Sequence, residues 1–214
     1  MSSAPQAAAA LFGAGLPRAE RFHDSLVNAG PVRGLNGPRE VPVLWERHLI
    51  NSALLAYARP ELLPTGSSVV DLGSGAGLPG IPLAIARPDL ALTLVDPLQR
   101  RITYLREIVA DLDLPNVSVV RARAGGPDSV QRIGRFDVVT SRAVAPLGRL
   151  LQWSMPHVRP GGVLLAMKGR KAEEEIAALS ARERRLAGDL QVEELHSPDG
   201  KHHARVVVAG ARER

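Results

Sequence analysis

The stretch VVDLGSGAGLPGIPLAIA, Val69 to Ala86, decides how the chain folds. An apolar strand ends in Asp71 and Leu72, glycines stand at 73, 75, 77 and 80, and a second apolar run follows. Strand, tight turn and helix start in that order form the first half of a strand–helix–strand unit, whose ligand sits at the carboxyl end of the strand. Gly75, Gly77 and Gly80 satisfy the GxGxxG spacing, and Asp96 closes the next strand, LALTLVD, about 20 residues on, where an acid takes ribose hydroxyls. Both NAD and S-adenosylmethionine suit that arrangement, and Asp96 has the same task in each.

Two local features favour S-adenosylmethionine. A carboxylate at Asp71 repels a pyrophosphate but suits a ligand that carries a sulfonium and an ammonium group and no phosphate. The turn also begins early, at Gly73, and Pro79 and Pro82 make the helix start unlike the glycine-packed helix of a dinucleotide site. Gly73 and Gly75 then let backbone approach the ligand, and an NAD oxidoreductase stays open as the alternative.

Outward from this unit the pattern alternates. Helix is expected over 97–114, with Pro97 in its first turn and Ile102, Leu105, Ile108, Val109 and Leu112 as its stripe, then strand VSVVRA and, after a polar link over 124–135, strand FDVVTSRA. Helix 146–157, strand VLLAMKG, helix 171–187 and a hairpin of QVEELHS and ARVVVAG about Pro198, Asp199 and Gly200 complete the chain. The fold class is therefore α/β, a seven-stranded mostly parallel sheet of the methyltransferase type. Ahead of it, 17–30 and 41–60 read as helices around a Gly/Pro loop, which divides the chain into an N-terminal helical extension, 1–64, and a Rossmann-like domain, 65–214.

Composition narrows the chemistry. With no Cys there are no disulfides, thiolate sites or cysteine nucleophiles, and six His without HxxxH or HExxH spacing argue against a metal site. Residues 1–15 lack a basic region before their alanine run and read as a frayed lead-in, and no run approaches the ~20 apolar residues of a membrane span, so a soluble, cytoplasmic monomer is expected. The net charge of +5 rests almost wholly on Arg, since Lys168, Lys171 and Lys201 are the only lysines. Arg suits phosphate and guanine edges, but codon usage in a GC-rich genome gives the same skew.

The fourth strand ends in Thr140, Ser141 and Arg142, which parallel topology brings to the rim that holds Gly73 and Asp96. Arg142 is placed to clamp a cofactor carboxylate or touch an RNA phosphate, with Lys168 and Arg170 adding charge. Trp45, Arg47 and His48 form a cluster suited to framing an acceptor or touching RNA, and equally to packing in a core. Arg142 and His48 are the candidate catalytic residues. An acceptor with a lone pair, such as guanine N7, needs no base. A methyltransferase of small molecules or proteins and a non-catalytic RNA-binding module remain alternatives.

WERHLINS (45–52), VVDLGSGAGLPGIPLA (69–84), VDPLQRRITYLRE (95–107), VTSRAVAPL (139–147) and MKG (167–169) together resemble the bacterial ribosomal RNA small subunit methyltransferase G family, also called glucose-inhibited division protein B. The resemblance implies a class I S-adenosylmethionine-dependent methyltransferase that modifies guanine N7 in the 530 loop region of 16S rRNA, alone or in the small ribosomal subunit. Carried over by motif, the cofactor contacts are Gly73, Leu78, Ala124, Gly125 and Arg142, with Asp96 as the acid after the second strand. Three departures stand out: Gly34-Leu35-Asn36 for Asn-Leu-Thr, Asn51-Ser52 for Asp-Ser, and Gly125 where the family commonly has an acid, which leaves adenine to main-chain N–H groups.

Overall fold

A computed structural model of the chain describes residues 4–35, 37–142 and 144–210; Asn36 of the Gly34-Leu35-Asn36 departure and Ala143 of the SRA motif lie outside them. Seven strands, β1 (Ser68–Leu72), β2 (Ala91–Asp96), β3 (Val117–Arg121), β4 (Phe136–Arg142), β5 (Val158–Lys168), β6 (Leu190–His196) and β7 (His203–Gly210), form one sheet in the order β3-β2-β1-β4-β5-β7-β6. The first five are parallel, and β7 runs antiparallel between β5 and β6. The strand order reverses between β1 and β4, the switch point at which such sheets open a crevice.

Helices cover both faces. On one lie α1 (Gln6–Phe12), α2 (Leu16–Asn28), α3 (Asn51–Ala53), α4 (Gly80–Ala86) and α5 (Gln99–Asp111); on the other lie α6 (Ser129–Ile133), α7 (Leu147–Ser154), α8 (Ala172–Ala177) and α9 (Ala181–Ala187). The two-residue period of each strand divides its side chains between the layers, so Val69 and Val138 join the first core while Val70 and Val139 join the second. Asp71 and Arg142, in phase with Val69 and Val138, therefore belong to the first face.

Several expectations give way to packing. The expected lead-in over 1–15 holds helix α1, because Ala7, Ala8, Leu11 and Phe12 make an apolar stripe that is buried against the first core. The expected single helix over 41–60 is a succession of a 3₁₀ turn (Pro38–Val43), a π-helix (Leu44–Ile50), α3 and another 3₁₀ turn (Leu54–Tyr57). The polar link over 124–135 contains α6, whose Ile133 is buried, and the helix over 171–187 divides where Ser180 and Glu183 form a capping box that starts α9. The N-terminal helices share a continuous core with α4, α5 and β2, reinforced by Arg18 Nε donating to the Leu112 carbonyl at 2.9 Å.

Candidate active site

The glycine turn is stitched to the end of β2. Gly73 N–H and Ser74 N–H both donate to the Val95 carbonyl, at 2.8 and 3.0 Å, and Ser74 Oγ accepts from Val95 N–H at 3.0 Å while donating to the Asp71 carbonyl at 2.9 Å. Sequence reasoning missed Ser74, although a hydroxyl between two turn glycines was a signal for such a role. Gly73, at φ +78°, has no room for a side chain because a Cβ would stand 2.7 Å from Val144 Cγ2; Gly75, at φ +57°, is required by its backbone conformation rather than by crowding.

Asp71 is fully buried and lies behind this turn rather than at its rim. Its Oδ2 accepts from Gly80 N–H, the first of α4, at 3.1 Å, and its Oδ1 has no partner among the described residues. Burial pushes its carboxyl up to about 7, the backbone hydrogen bond from Gly80 opposing the rise. Asp71 does not itself line the cavity described below. It bears on cofactor choice differently, because the helix N–H that a pyrophosphate would need is already taken by this carboxylate.

A cavity of about 720 Å³ runs along the turn, within the size range of small-molecule sites. Gly73, Gly75, Leu78, Asp96, Ala124, Gly125, Arg142 and His48 all line it, so every sequence-derived site residue but Asp71 is brought together. Asp96 is buried and its carboxylate accepts from Gly75 N–H at 3.2 Å, Leu98 N–H at 2.9 Å and Arg101 at 3.1 Å. A carboxylate offers about four lone-pair sites, so one is left for a ribose hydroxyl. Arg101, unanticipated, stands five residues past Asp96 in the first turns of α5 and is the partner with a side chain long enough to yield.

Arg142 is held by the N-terminal segment. Its Nη1 donates to the His48 carbonyl (3.2 Å) and Ser52 Oγ (2.9 Å), and its Nη2 to the Arg47 carbonyl (2.6 Å) and His48 Nδ1 (3.0 Å). The π-helix supplies those carbonyls, an instance of the irregular turn that π-bulges bring to functional sites. Because Arg cannot accept, His48 Nδ1 must be the unprotonated nitrogen, and Nε2–H donates to Glu40 Oε2 at 2.6 Å. Burial holds His48 below its ordinary value, partly offset by Glu40, and the hydrogen bond from His48 lowers the Glu40 carboxyl. Arg142 thus has four of its five N–H donors committed to protein, and Glu40 is a member of this group that sequence reasoning missed. Trp45 is core, stacked on His23 with ring centroids 4.8 Å apart.

A second cavity of about 1050 Å³ adjoins the first, with Arg142 and Val144 lining both. Its lining contains seven Lys or Arg, namely Arg47, Arg142, Lys168, Arg170, Lys171, Lys201 and Arg205, against Glu46 and Glu175. Lys168 contributes less than the sequence suggested, for its Nζ donates to Glu175 Oε2 at 2.8 Å and to the Ala145 carbonyl at 2.9 Å. Arg170, Lys171 and Lys201 are exposed there. Among the described residues no cluster of His, Asp and Glu suits a metal ion, and no helix is long and apolar enough to cross a membrane.

Comparison with known proteins agrees with this geometry. Solved structures share the fold: an O-methyltransferase family protein from Burkholderia thailandensis (TM-score 0.57, 14% identity, 92% of this chain and 60% of that one) and a predicted O-methyltransferase from Agrobacterium tumefaciens (0.56, 19%, 77% and 82%). In sequence, the chain is 53% identical over 188 residues to ribosomal RNA small subunit methyltransferase G of Corynebacterium glutamicum, covering 88% of this chain and 82% of that protein. It is 54% identical over 189 residues to the protein of the same name from Rhodococcus jostii, covering 88% and 81%. The family model described as rRNA small subunit methyltransferase G matches residues 16–204, and with the class I methyltransferase sheet and glycine turn in place, the chain belongs to that family.

Proposed function

We propose that the chain transfers a methyl group from S-adenosylmethionine to N7 of a guanine in the 530 loop region of 16S rRNA. The observation that carries this reading is the shared wall of the two cavities: a cofactor-sized cavity on the glycine turn and a strongly basic cleft meet at Arg142 and Val144. The residues present fit the cofactor, since the turn presents backbone without side chains at Gly73 and Gly75, Asp96 retains an acceptor for ribose, and the start of α4 is closed to phosphate. The relatives' name supplies the RNA class, and the sign of the cleft suits a polyanion held by salt-sensitive phosphate contacts.

When bound, S-adenosylmethionine supplies an electrophilic methyl on a sulfonium. The chain's part is positional. Arg142, fixed by the π-helix, keeps a cation at the junction of the two cavities, and His48 sits beside it as a neutral imidazole. Guanine N7 brings its own lone pair and carries no proton, so aligning it with the methyl group is the main requirement. No residue here needs to abstract a proton, which agrees with His48 being committed at both nitrogens.

This reading includes an N-terminal extension over 1–64 packed on a catalytic domain over 65–214, and a monomer acting in the cytoplasm on 16S rRNA or the small subunit. The test is transfer of tritiated methyl from S-adenosylmethionine into 16S rRNA prepared from a strain lacking the enzyme, with the product nucleoside identified by mass. Label in 7-methylguanosine is expected. No label in naked RNA or in assembled small subunits would refute the activity.

A further inference from the structure

The wall shared by the two cavities is anchored from a helix that is remote from it in sequence. Val144 is exposed and stands over the glycine turn, where a Cβ on Gly73 would lie 2.7 Å from Val144 Cγ2. Two residues on, Pro146 precedes α7 with no N–H to donate and no side-chain acceptor to cap the helix. The cap comes from α8. Glu175 Oε2 accepts from Leu147 N–H, the first of α7, at 2.7 Å and from Lys168 Nζ, at the end of β5, at 2.8 Å, while Lys168 Nζ donates to the Ala145 carbonyl at 2.9 Å. One carboxylate oxygen and one ammonium thus grip the main chain on both sides of Pro146, directly after Val144. The Lys168 side chain is only 9% exposed, so its ammonium is largely out of water, where a charge-assisted bond is strong and loss of the partner leaves a charge unpaired.

We infer that Glu175 is a positioning residue for methyl transfer: through Lys168 and the first turn of α7 it fixes Val144 at the junction of the cofactor cavity and the basic cleft. The inference rests on the methyl-transfer reading above. A misplacement of about 1 Å between reacting groups costs up to ~100-fold in rate, so slack in this wall is read as lost turnover. Lys168 is in this account a structural cation of the cleft rather than an RNA contact. Without Glu175 it is released to join the six other Lys and Arg that line the cleft, so RNA is held more tightly while the methyl moves more slowly. General damage to the fold would weaken both.

Single-turnover transfer of tritiated methyl from saturating S-adenosylmethionine into small ribosomal subunits from a strain lacking the enzyme yields a rate constant and an amplitude; binding of 16S rRNA at several salt concentrations yields a slope. E175A should lower the rate constant about tenfold at wild-type amplitude and steepen the slope of log binding constant against log salt by about 1. E175Q, which keeps an oxygen for both donors, should return the rate constant to within about twofold of wild type. K168M should lose rate about tenfold and leave the slope unchanged, and it carries the same test if E175A does not fold. A wild-type rate constant in E175A, a reduced amplitude at an unchanged rate constant, an E175Q rate as low as that of E175A, or a K168M slope flatter by about 1 would each overturn the positioning role and leave the methyl-transfer reading standing. If the wild-type protein labels neither naked 16S rRNA nor subunits, that reading falls and the inference falls with it.

Discussion

Replacing Asp71 by asparagine isolates what a buried carboxyl does beneath the glycine turn. In the fold its carboxyl is raised to about 7 from an ordinary 3.8. A raised acid binds its proton more tightly folded than unfolded, so its full stabilising contribution is present below pH 3.8 and is lost as pH rises to about 7. Each pH unit in that window removes about 1.4 kcal/mol, or about 4 kcal/mol in all. The amide of the Asp71→Asn variant cannot ionise, keeps a carbonyl oxygen for Gly80 N–H, and places an unpartnered NH₂ where Oδ1 now has no partner, at a cost of about 1–3 kcal/mol that does not vary with pH. The difference between variant and wild type should therefore shift by about 3 kcal/mol in the variant's favour between pH 5 and pH 8. Urea unfolding of both proteins, free of cofactor, at the two pH values measures it. An identical gap at pH 5 and pH 8 would refute the claim that Asp71 is a strained buried acid.

Other substitutions probe the remaining joints of the site. E40A removes the acceptor that fixes the His48 tautomer and takes away a group that raises its pKa, so the acid limb of the pH–rate profile, already below 6.5, should move to lower pH while the plateau falls; E40Q, which keeps an acceptor oxygen, should restore most of the plateau. G80A would drive a Cβ to 2.3 Å from Leu94 Cδ2 and 2.9 Å from Asp71 Oδ2, and should cost about 1–3 kcal/mol in thermal unfolding of the cofactor-free protein. The double variant R170A/K171A should flatten the dependence of log binding constant on log salt for 16S rRNA by roughly 1–2, with S-adenosylhomocysteine affinity unchanged; a slope equal to the wild type would remove these residues from the RNA cleft.

The sheet was legible because β1 and β2 are short buried apolar runs closed by Gly73 and Pro97, and Pro97 and the Ile102–Leu105–Ile108 stripe mark the helix that follows β2. Less legible was whatever depends on neighbours remote in sequence. The π-helix at Leu44–Ile50 has the composition of an ordinary amphipathic helix, and its carbonyls accept from Arg142, which lies some ninety residues further along. Trp153 likewise reads as one apolar residue of a helix until Gly125 is seen against its edge.

Asp71 shows how much the strand period alone can place. The two-residue period of a strand fixes the face of every side chain once a single neighbour is assigned, and Val69, two residues earlier, belongs to the core beneath α4. Alternation alone therefore directs Asp71 under the helix start and away from the open rim, whereas glycine spacing says only that a turn follows. The same arithmetic places Arg142, in phase with Val138, on the face that the N-terminal helices cover, so its capture by the segment around His48 follows from the strand period together with the burial of that segment. Cofactor choice then depends less on repulsion across the cavity than on a hydrogen bond behind it: one carboxylate consumes the helix N–H on which a pyrophosphate would rest, and leaves the glycine backbone to a ligand without phosphate.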